Sequence, residues 1–434
     1  MTLIAPPTFR LRRTCRAAGL FLALAVLAAR LAAAPQFVSE TELIDRVIGL
    51  IDRRLALMPE VAAVKFRQHQ PVADPVREGV VLEQSVADAL AMNLDGAAAR
   101  VFFSVQIRLA RAVQEHCFER WRIRAESPPP ARDLVTVLRP ELDAIGRELL
   151  PAVYLAGPAL TEMPAATWRP RLAPLLRQPG VTDALLAELA AALGALRITA
   201  APTWATVQRV GVLRVGTTGD YAPFSEEHGG ELRGVDIALA QALAQAWGVR
   251  VVFVRTSWPT LMADLGRRRF DLAASGISVT PERQRVADFS AAYLLDGKTP
   301  IARRAEAAQF SSLEAIDRPG VRVIVNPGGT NERFVREHLS RATIVPHPDN
   351  RTIFQEIVAG RADVMITDSI EVRLQTRRHP GLAATMAAPF TRAGKAILLP
   401  PGSELTTRVD RWLAPQIDRG EIGARLEQAL AGPR

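Results

Sequence analysis

"LRVGTTGDYAPFS", residues 213–225, is where this chain changes its grammar. Apolar and β-branched residues run into a glycine turn with aromatics just beyond it, which reads as a strand ending at a loop. The arrangement recurs downstream. "VRVVFVRT", "DLAASGIS", "VRVIVNP", "ATIVPH" and "ADVMITD" are short strand-like runs, and amphipathic stretches such as "GVDIALAQALAQAW" and "RTIFQEIVAGR" lie between them. Strands alternating with helices predict parallel sheets joined by crossover helices.

Upstream, from Ser39 to about Leu196, the text is helical. "SETELIDRVIGLIDRRLALM" opens on Ser39 with Glu42 three residues on, a capping box, and Leu43, Val47, Leu50 and Ile51 recur at helical spacing. Pro59 interrupts this helix, Asp74-Pro75 starts another, and Asp95-Gly96 precedes a third. "ESPPPARD" has a linker's composition but reads as a loop inside the helical region, and no strand-like alternation occurs in this half. The expected organisation is an all-α domain over residues 35–197, a linker over 198–207 ("ITAAPTWATV"), and an α/β domain over 208–434.

The 434 residues suffice for two or three domains, and 48% hydrophobic with 23% charged residues is a globular composition. The net charge of +9 includes Arg10, Arg12, Arg13, Arg16 and Arg30, so loss of residues 1–34 leaves 9 − 5 = +4. That excess suits small anionic ligands. No basic run interleaved with aromatics points to nucleic acid. The opening "RLRRTCRAAGLFLALAVLAARLAAAPQ" has a basic start, an apolar stretch and small residues after it, the pattern of an export signal. Its apolar run, Ala17 to Ala29, is too short to span a bilayer. Residues 1–34 are expected to be removed, leaving a periplasmic chain without stable membrane contact. Cys15 would leave with the signal and Cys117 would have no disulfide partner.

In the helical half the candidate chemistry lies in Arg54, Lys65, Arg77 and Arg147, with Gln114 on the long middle helix. Several cations turned inward need an anion, since an unpaired buried charge is costly. The alternative is that each is solvated or paired with Glu or Asp. In the α/β half, Tyr221 and Phe224 follow the first strand as aromatic walls for a ring, or as core. "SGISVTPERQ" gathers Ser275, Ser278, Thr280 and Arg283 into one turn, either a carboxylate clamp or a place where Arg283 pairs with Glu282 or Asp288. "NPGGTNE" offers backbone N–H groups around Gly329 and Thr330 at a helix start, an anion site or an ordinary turn. Asp368 ends another strand, where open sheets bind ligands. Two anion sites and an aromatic slot imply a small dicarboxylate bearing a ring.

The stretches "LIDRRLALMPEVAAVKFRQHQPVADPVREGVVLEQ" and "RVFFSVQIRLARAVQ" resemble the exported (gamma) class of AroQ-type chorismate mutases over roughly residues 40–195. That resemblance places the family's active-site cations on Arg54, Lys65, Arg77 and Arg147, and the side chain facing the ether oxygen on Gln114. Lys65 and Gln114 suit the negative charge developing on that oxygen. Val81 stands where some members carry a polar group, with Glu83 or Gln84 as substitutes.

Residues 205–432 resemble the two-lobed periplasmic solute-binding fold (type 2), and within it the cyclohexadienyl dehydratases, through "LRVGTTGDYAPFS", "TSWPTLMADL", "FSAAYLLDGKTPI", "IVNPGGTNERF", "HPDNRTIFQEIV" and "ITDSIEVRLQ". The resemblance implies Arg283 on the substrate's side-chain carboxylate, Glu332 as general acid, and Trp258, Lys298, Asn326 and Thr330 around the pocket. Together the halves imply a bifunctional enzyme. Chorismate becomes prephenate and prephenate becomes phenylpyruvate, with arogenate open as a second substrate, without cofactor or metal. Asp368 would then meet arogenate's amino group. The rival is a mutase fused to a non-catalytic amino-acid receptor of a transporter. For Glu332, opening a helix, the dipole lowers the pKa, whereas a desolvated cleft and an anionic substrate raise it, as an acid requires.

Overall fold

The computed structural model describes residues 34–124 and 126–431. All but the last residue of the expected export signal, Cys15 included, lies outside them.

The helical half follows its caps. Helix α1 (Glu40–Ala56) starts at Ser39, whose hydroxyl accepts the Glu42 N–H at 3.4 Å. Pro59 leaves no gap. It sits in the first turn of α2 (Met58–Arg67), where a missing N–H costs nothing. Asp74 caps α3 (Pro75–Leu90) through the Arg77 N–H at 3.1 Å, and Asp95 caps α4 (Gly96–Ile123) through the Ala98 N–H at 2.9 Å. The proline-rich segment is a loop, as its place inside the helical region predicts. After it come α5 (Arg139–Glu162), α6 (Ala165–Leu172) and α7 (Asp183–Ala195). Helix α1 packs on α5 and α3 on α4, around a core that includes Ile51, Leu55, Phe102, Leu109, Leu149 and Val153. Helix α8 (Trp204–Val210), capped by Thr203, begins within the stretch read as linker.

Two five-stranded sheets make the second half. The first runs β5 (Arg250–Arg255), β1 (Val212–Thr217), β6 (Leu272–Ala273), β15 (Leu398–Leu399), β7 (Asp288–Phe289). The second runs β11 (Thr343–Pro346), β10 (Arg322–Val325), β12 (Val364–Asp368), β9 (Lys298–Arg303), β13 (Leu382–Ala384). Beside the first sheet lies a small antiparallel one of β2 (Asp220–Tyr221), β3 (Ser225–His228) and β4 (Glu231–Arg233). Helices α9 (Val235–Ala246), α10 (Leu261–Gly266) and α11 (Pro281–Gln284) belong to the first lobe. Helices α12 (Leu313–Ile316), α13 (Thr330–His338), α14 (Ile353–Val358) and α15 (Ser369–Arg378) belong to the second, and α16 (Leu405–Asp418) and α17 (Glu421–Ala431) close the described chain.

The expected parallel pairing is present, but both sheets are mixed. β1–β5, β1–β6, β10–β11 and β10–β12 are parallel, while β9 and β15 pair antiparallel with their neighbours. The cause is topological: the chain crosses to the second lobe and back along the antiparallel pair β8 (Leu294–Asp296) and β14 (Ala393–Lys395), so the strands beside each crossing enter reversed.

The helical half docks on the first lobe. Tyr154 of α5 donates its hydroxyl to Asp271 at 3.1 Å and accepts from Arg214 of β1 at 3.1 Å, and Arg214 closes on Asp271 at 2.6 Å. All three side chains are buried. Arg269 reaches back to Glu40 and Glu162, and Val38 N–H donates to Phe253 O at 2.9 Å on edge strand β5.

Candidate active sites

A cavity of about 740 Å³ opens among α1 to α5. It gathers Arg54 from α1, Lys65 from α2, Arg77 from α3, Gln114 from α4 and Arg147 from α5, all five residues expected there. Burial lowers the Arg54 guanidinium against the pull of Asp143, and its Nε has no hydrogen-bond partner among the described residues. Such a cation favours an incoming anion. Burial also lowers Lys65, opposed by Asp74 and Glu78, and its Nζ donates to Val72 O at 2.6 Å. The Gln114 amide donates to Ala110 O at 3.1 Å while its Oε1 is buried without a partner. Arg77 and Arg147 line the cavity from exposed positions, so they are free to close on a ligand.

Three cations were not anticipated: Arg111, held by Glu78 at 2.9 Å, Arg139 and Arg209. Helical spacing carried a signal for Arg111, three residues before Gln114 and so on the same face. Of the substitutes for a polar group at Val81, Gln84 lines the cavity. Glu83 instead points to the surface and forks onto Arg100.

The second site lies between the lobes. Tyr221, Trp258, Ser278, Arg283, Asn326, Gly329, Thr330 and Asp368 line the cleft. Trp258 stands edge-on to Tyr221 at 5.5 Å, whereas Phe224 is fully buried beneath Tyr221 and is core rather than ligand wall. Arg283 is buried, its Nη1 on Ser278 O at 2.9 Å. Burial, aided by nearby Arg333, pushes its pKa down to about 10. The alternative pairings do not form: Glu282 takes Arg333 at 2.8 Å and Asp288 takes the Gly402 N–H. Asn326 is braced on His347 O and Pro348 O.

Ser275 and Thr280 do not reach the cleft. Ser275 Oγ is turned inward to the Thr218 N–H and hydroxyl, and Thr280 caps α11 by accepting the Arg283 N–H. They hold the walls in place. Lys298 lies just behind the lining, with Nζ on Thr330 Oγ1 at 2.9 Å and Asp368 Oδ1 at 2.7 Å. Burial would raise the Asp368 carboxyl, but Lys298 and Lys395 outweigh it and hold it well below the usual range.

Glu332 opens its helix as the sequence suggested, but it is not among the residues that line the cleft. At the third residue of α13 it folds back to accept the Gly328 N–H at 2.7 Å, and Arg336 one turn on clasps it at 2.8 Å. Partial burial pushes its pKa up, but the Gly328 N–H and Arg336 prevail and lower it, the reverse of what a proton donor needs. Another carboxyl lies behind the cleft lining. Glu371, in the first turn of α15, is 2% exposed, and burial pushes its pKa up to about 8. It accepts from Thr367 Oγ1 and, at 3.4 Å, from Asn350, whose own side chain lines the cleft.

Glu371 had a signal in "DSIEV": an acid three residues after Asp368 and flanked by Ile370 and Val372, which bury a helix face. Lys395, also missed, had a compositional one. The chain holds three lysines among 54 basic residues, and Lys65, Lys298 and Lys395 all stand at the two sites.

Fold and cleft define the class. A model of the bacterial extracellular solute-binding proteins, family 3, matches residues 213–430, and the chain belongs to that family. A chorismate mutase type II model matches residues 40–115, which hold α1 to α3 and most of α4 around the first cavity. Within the class, the second half is 54% identical over 223 residues to the cyclohexadienyl dehydratase of Pseudomonas aeruginosa, covering 51% of this chain and 83% of that protein. It is 26% identical over 224 residues to the L-cystine-binding protein of Escherichia coli, covering 51% and 84%. A solved amino acid transporter substrate-binding protein from Streptococcus pneumoniae, bound to L-arginine, matches with a TM-score of 0.50 and 26% identity, covering 52% of this chain and 97% of that one.

Proposed function

We propose that the chain is a bifunctional enzyme that converts chorismate to prephenate in the helical cavity and prephenate to phenylpyruvate in the cleft. The first step is pericyclic, so the cavity needs only to hold two carboxylates in a compact conformer and meet charge growing on the ether oxygen. Arg54, Arg77 and Arg147 suit the carboxylates, and Lys65 with Gln114 the ether oxygen. In the second step the bond to the ring carboxylate breaks and its electron pair enters the ring. The ring hydroxyl leaves as water, taking a proton from Glu371, which solvent then restores. Arg283 and the N–H groups around Gly329 and Thr330 hold the substrate's carboxylates.

What supports this reading over a receptor is 54% identity to a cyclohexadienyl dehydratase against 26% to a cystine-binding protein, with Glu371, a buried carboxyl hydrogen-bonded to cleft-lining Asn350, as the candidate acid. The likeness to the Pseudomonas dehydratase supports it, and the export pattern of residues 1–34 supports a periplasmic site of action. Feeding chorismate to the purified full chain should yield prephenate and then phenylpyruvate. Accumulation of prephenate with no phenylpyruvate would leave the receptor reading standing.

A further inference from the structure

We propose that Phe37, in the segment just before α1, is a positioning residue for the second site: it backs the turn that carries Tyr221 and Asp220 into the cleft. The helical half would then supply part of the second site, a role that rests on the dehydratase reading above.

Residues 35–38 form a strap laid into the first lobe between two strands. Phe37 bridges Phe253 on edge strand β5, and the Val38 N–H donates to Phe253 O at 2.9 Å. On the other side Pro35 O accepts the Leu232 N–H of β4 at 2.6 Å. The strap therefore joins the edge of the first sheet to the small antiparallel sheet that begins with β2. Its far end is anchored where Glu40 opens α1 and pairs with Arg269. Residue 37 precedes both stretches matched by the family models, 40–115 and 213–430.

The half-buried Phe37 ring fills the space beneath Gly219. At φ +70° Gly219 makes the left-handed turn between β1 and β2, and a Cβ there would lie 2.9 Å from the ring. Arg255 lies over the ring, its guanidinium carbon 3.8 Å from the centroid, and forks onto Glu227 of β3 at 2.7 and 2.8 Å. Gly219 is tied to the same strand, its N–H donating to Ser225 Oγ at 3.0 Å and its carbonyl accepting the Glu227 N–H at 2.8 Å.

The two residues after Gly219 make the contacts that matter in the cleft. Asp220 accepts the Trp258 indole N–H at 3.2 Å, and its carbonyl accepts Asn350 of the second lobe at 3.0 Å. Asn350 in turn donates to Glu371 at 3.4 Å. Tyr221 is an aromatic wall, and its hydroxyl meets Asp368 of the second lobe. One turn thus sets both aromatic walls and two of the places where the lobes meet. Truncating Phe37 opens a gap beneath that turn, and a turn that settles into it moves Asp220 and Tyr221 away from their partners.

In the purified full chain, Phe37→Ala should raise KM for prephenate and Kd for phenylpyruvate by about tenfold, with kcat lowered less than about threefold and chorismate turnover unchanged. Phe37→Leu keeps apolar bulk under the turn and should recover most of that loss. Gly219→Ala, whose Cβ meets the ring, should also raise KM, and combined with Phe37→Ala it should add less than it does alone. Tyr154→Phe loosens the same two halves without touching the turn and should leave KM unchanged, which separates positioning from general stability. Unchanged KM and Kd in Phe37→Ala, equal losses in Phe37→Leu, full additivity with Gly219→Ala, or the same loss in Tyr154→Phe would each overturn the assignment. So would failure of the unaltered chain to bind phenylpyruvate. Binding of phenylpyruvate with none formed from prephenate would instead sink the dehydratase reading, and the Kd values would still read the strap.

Discussion

Replacing Glu371 by Gln keeps its shape and removes its proton, and two independent quantities should move. Prephenate turnover should fall by roughly 10²–10⁴, the range for a positioned proton donor, while binding persists through Arg283. Stability should move the other way. The folded chain holds Glu371 protonated up to about pH 8, against an ordinary value of 4.5, so between those limits it binds more protons than the unfolded chain. Stability therefore falls as pH rises through that window. At pH 7 the penalty is the gap down to 4.5, about 3 kcal/mol at about 1.4 kcal/mol per pH unit. Gln is neutral throughout, so the variant should be more stable at pH 7 by up to about that amount, and the difference should vanish near pH 4. Glu332→Gln should behave oppositely, retaining near-normal turnover and losing about 0.3–1 kcal/mol at pH 7. Its lowered pKa makes that contribution present above 4.5 and lost as pH falls through the folded value. Phenylpyruvate formation and urea unfolding, each at several pH values, read both effects. Full turnover in Glu371→Gln, or a hundredfold loss in Glu332→Gln, would return the acid to Glu332.

Lys65→Ala should lower chorismate turnover on the order of 10²–10³ and leave prephenate turnover unchanged, which separate assays of the two steps will read. Gln84→Ala should slow the mutase step whereas Glu83→Ala should not, because only the former lines the cavity; equal effects in chorismate assays would remove Gln84 from the site. Tyr154→Phe strips the hydroxyl between Arg214 and Asp271 and should destabilise the docked halves by about 1–3 kcal/mol in urea unfolding, with both turnover rates near normal. With Glu371 as the acid, kcat/KM for prephenate should decline above about pH 8, and Glu371→Gln should lose that decline.

Much of this protein was legible in the chain alone, because the information was local. Caps at Ser39, Asp74 and Asp95 bond within three residues, so they mark helix starts whatever lies beyond. The change from helical spacing to short strands near Leu213 is likewise a property of neighbours in sequence, whereas the meeting of Arg54, Lys65 and Gln114 from three helices was legible only through the resemblance to the chorismate mutases. Glu332 against Glu371 was not local. Both acids stand in the first turn of a helix at the end of a strand, and the helix dipole treats them alike. What separates them is the third dimension. Glu332 finds Arg336 on its own helix and stays near solvent, while Glu371 faces inward on α15, where burial, aided by Asp368 and Asp220, outweighs the Thr367 hydrogen bond and Lys395. Lys395 and Asp368 lie 27 residues apart and meet only because the chain crosses twice between lobes. Desolvation and long-range pairing are properties of packing, so tertiary structure decided which acid keeps its proton and which carboxylate is already taken.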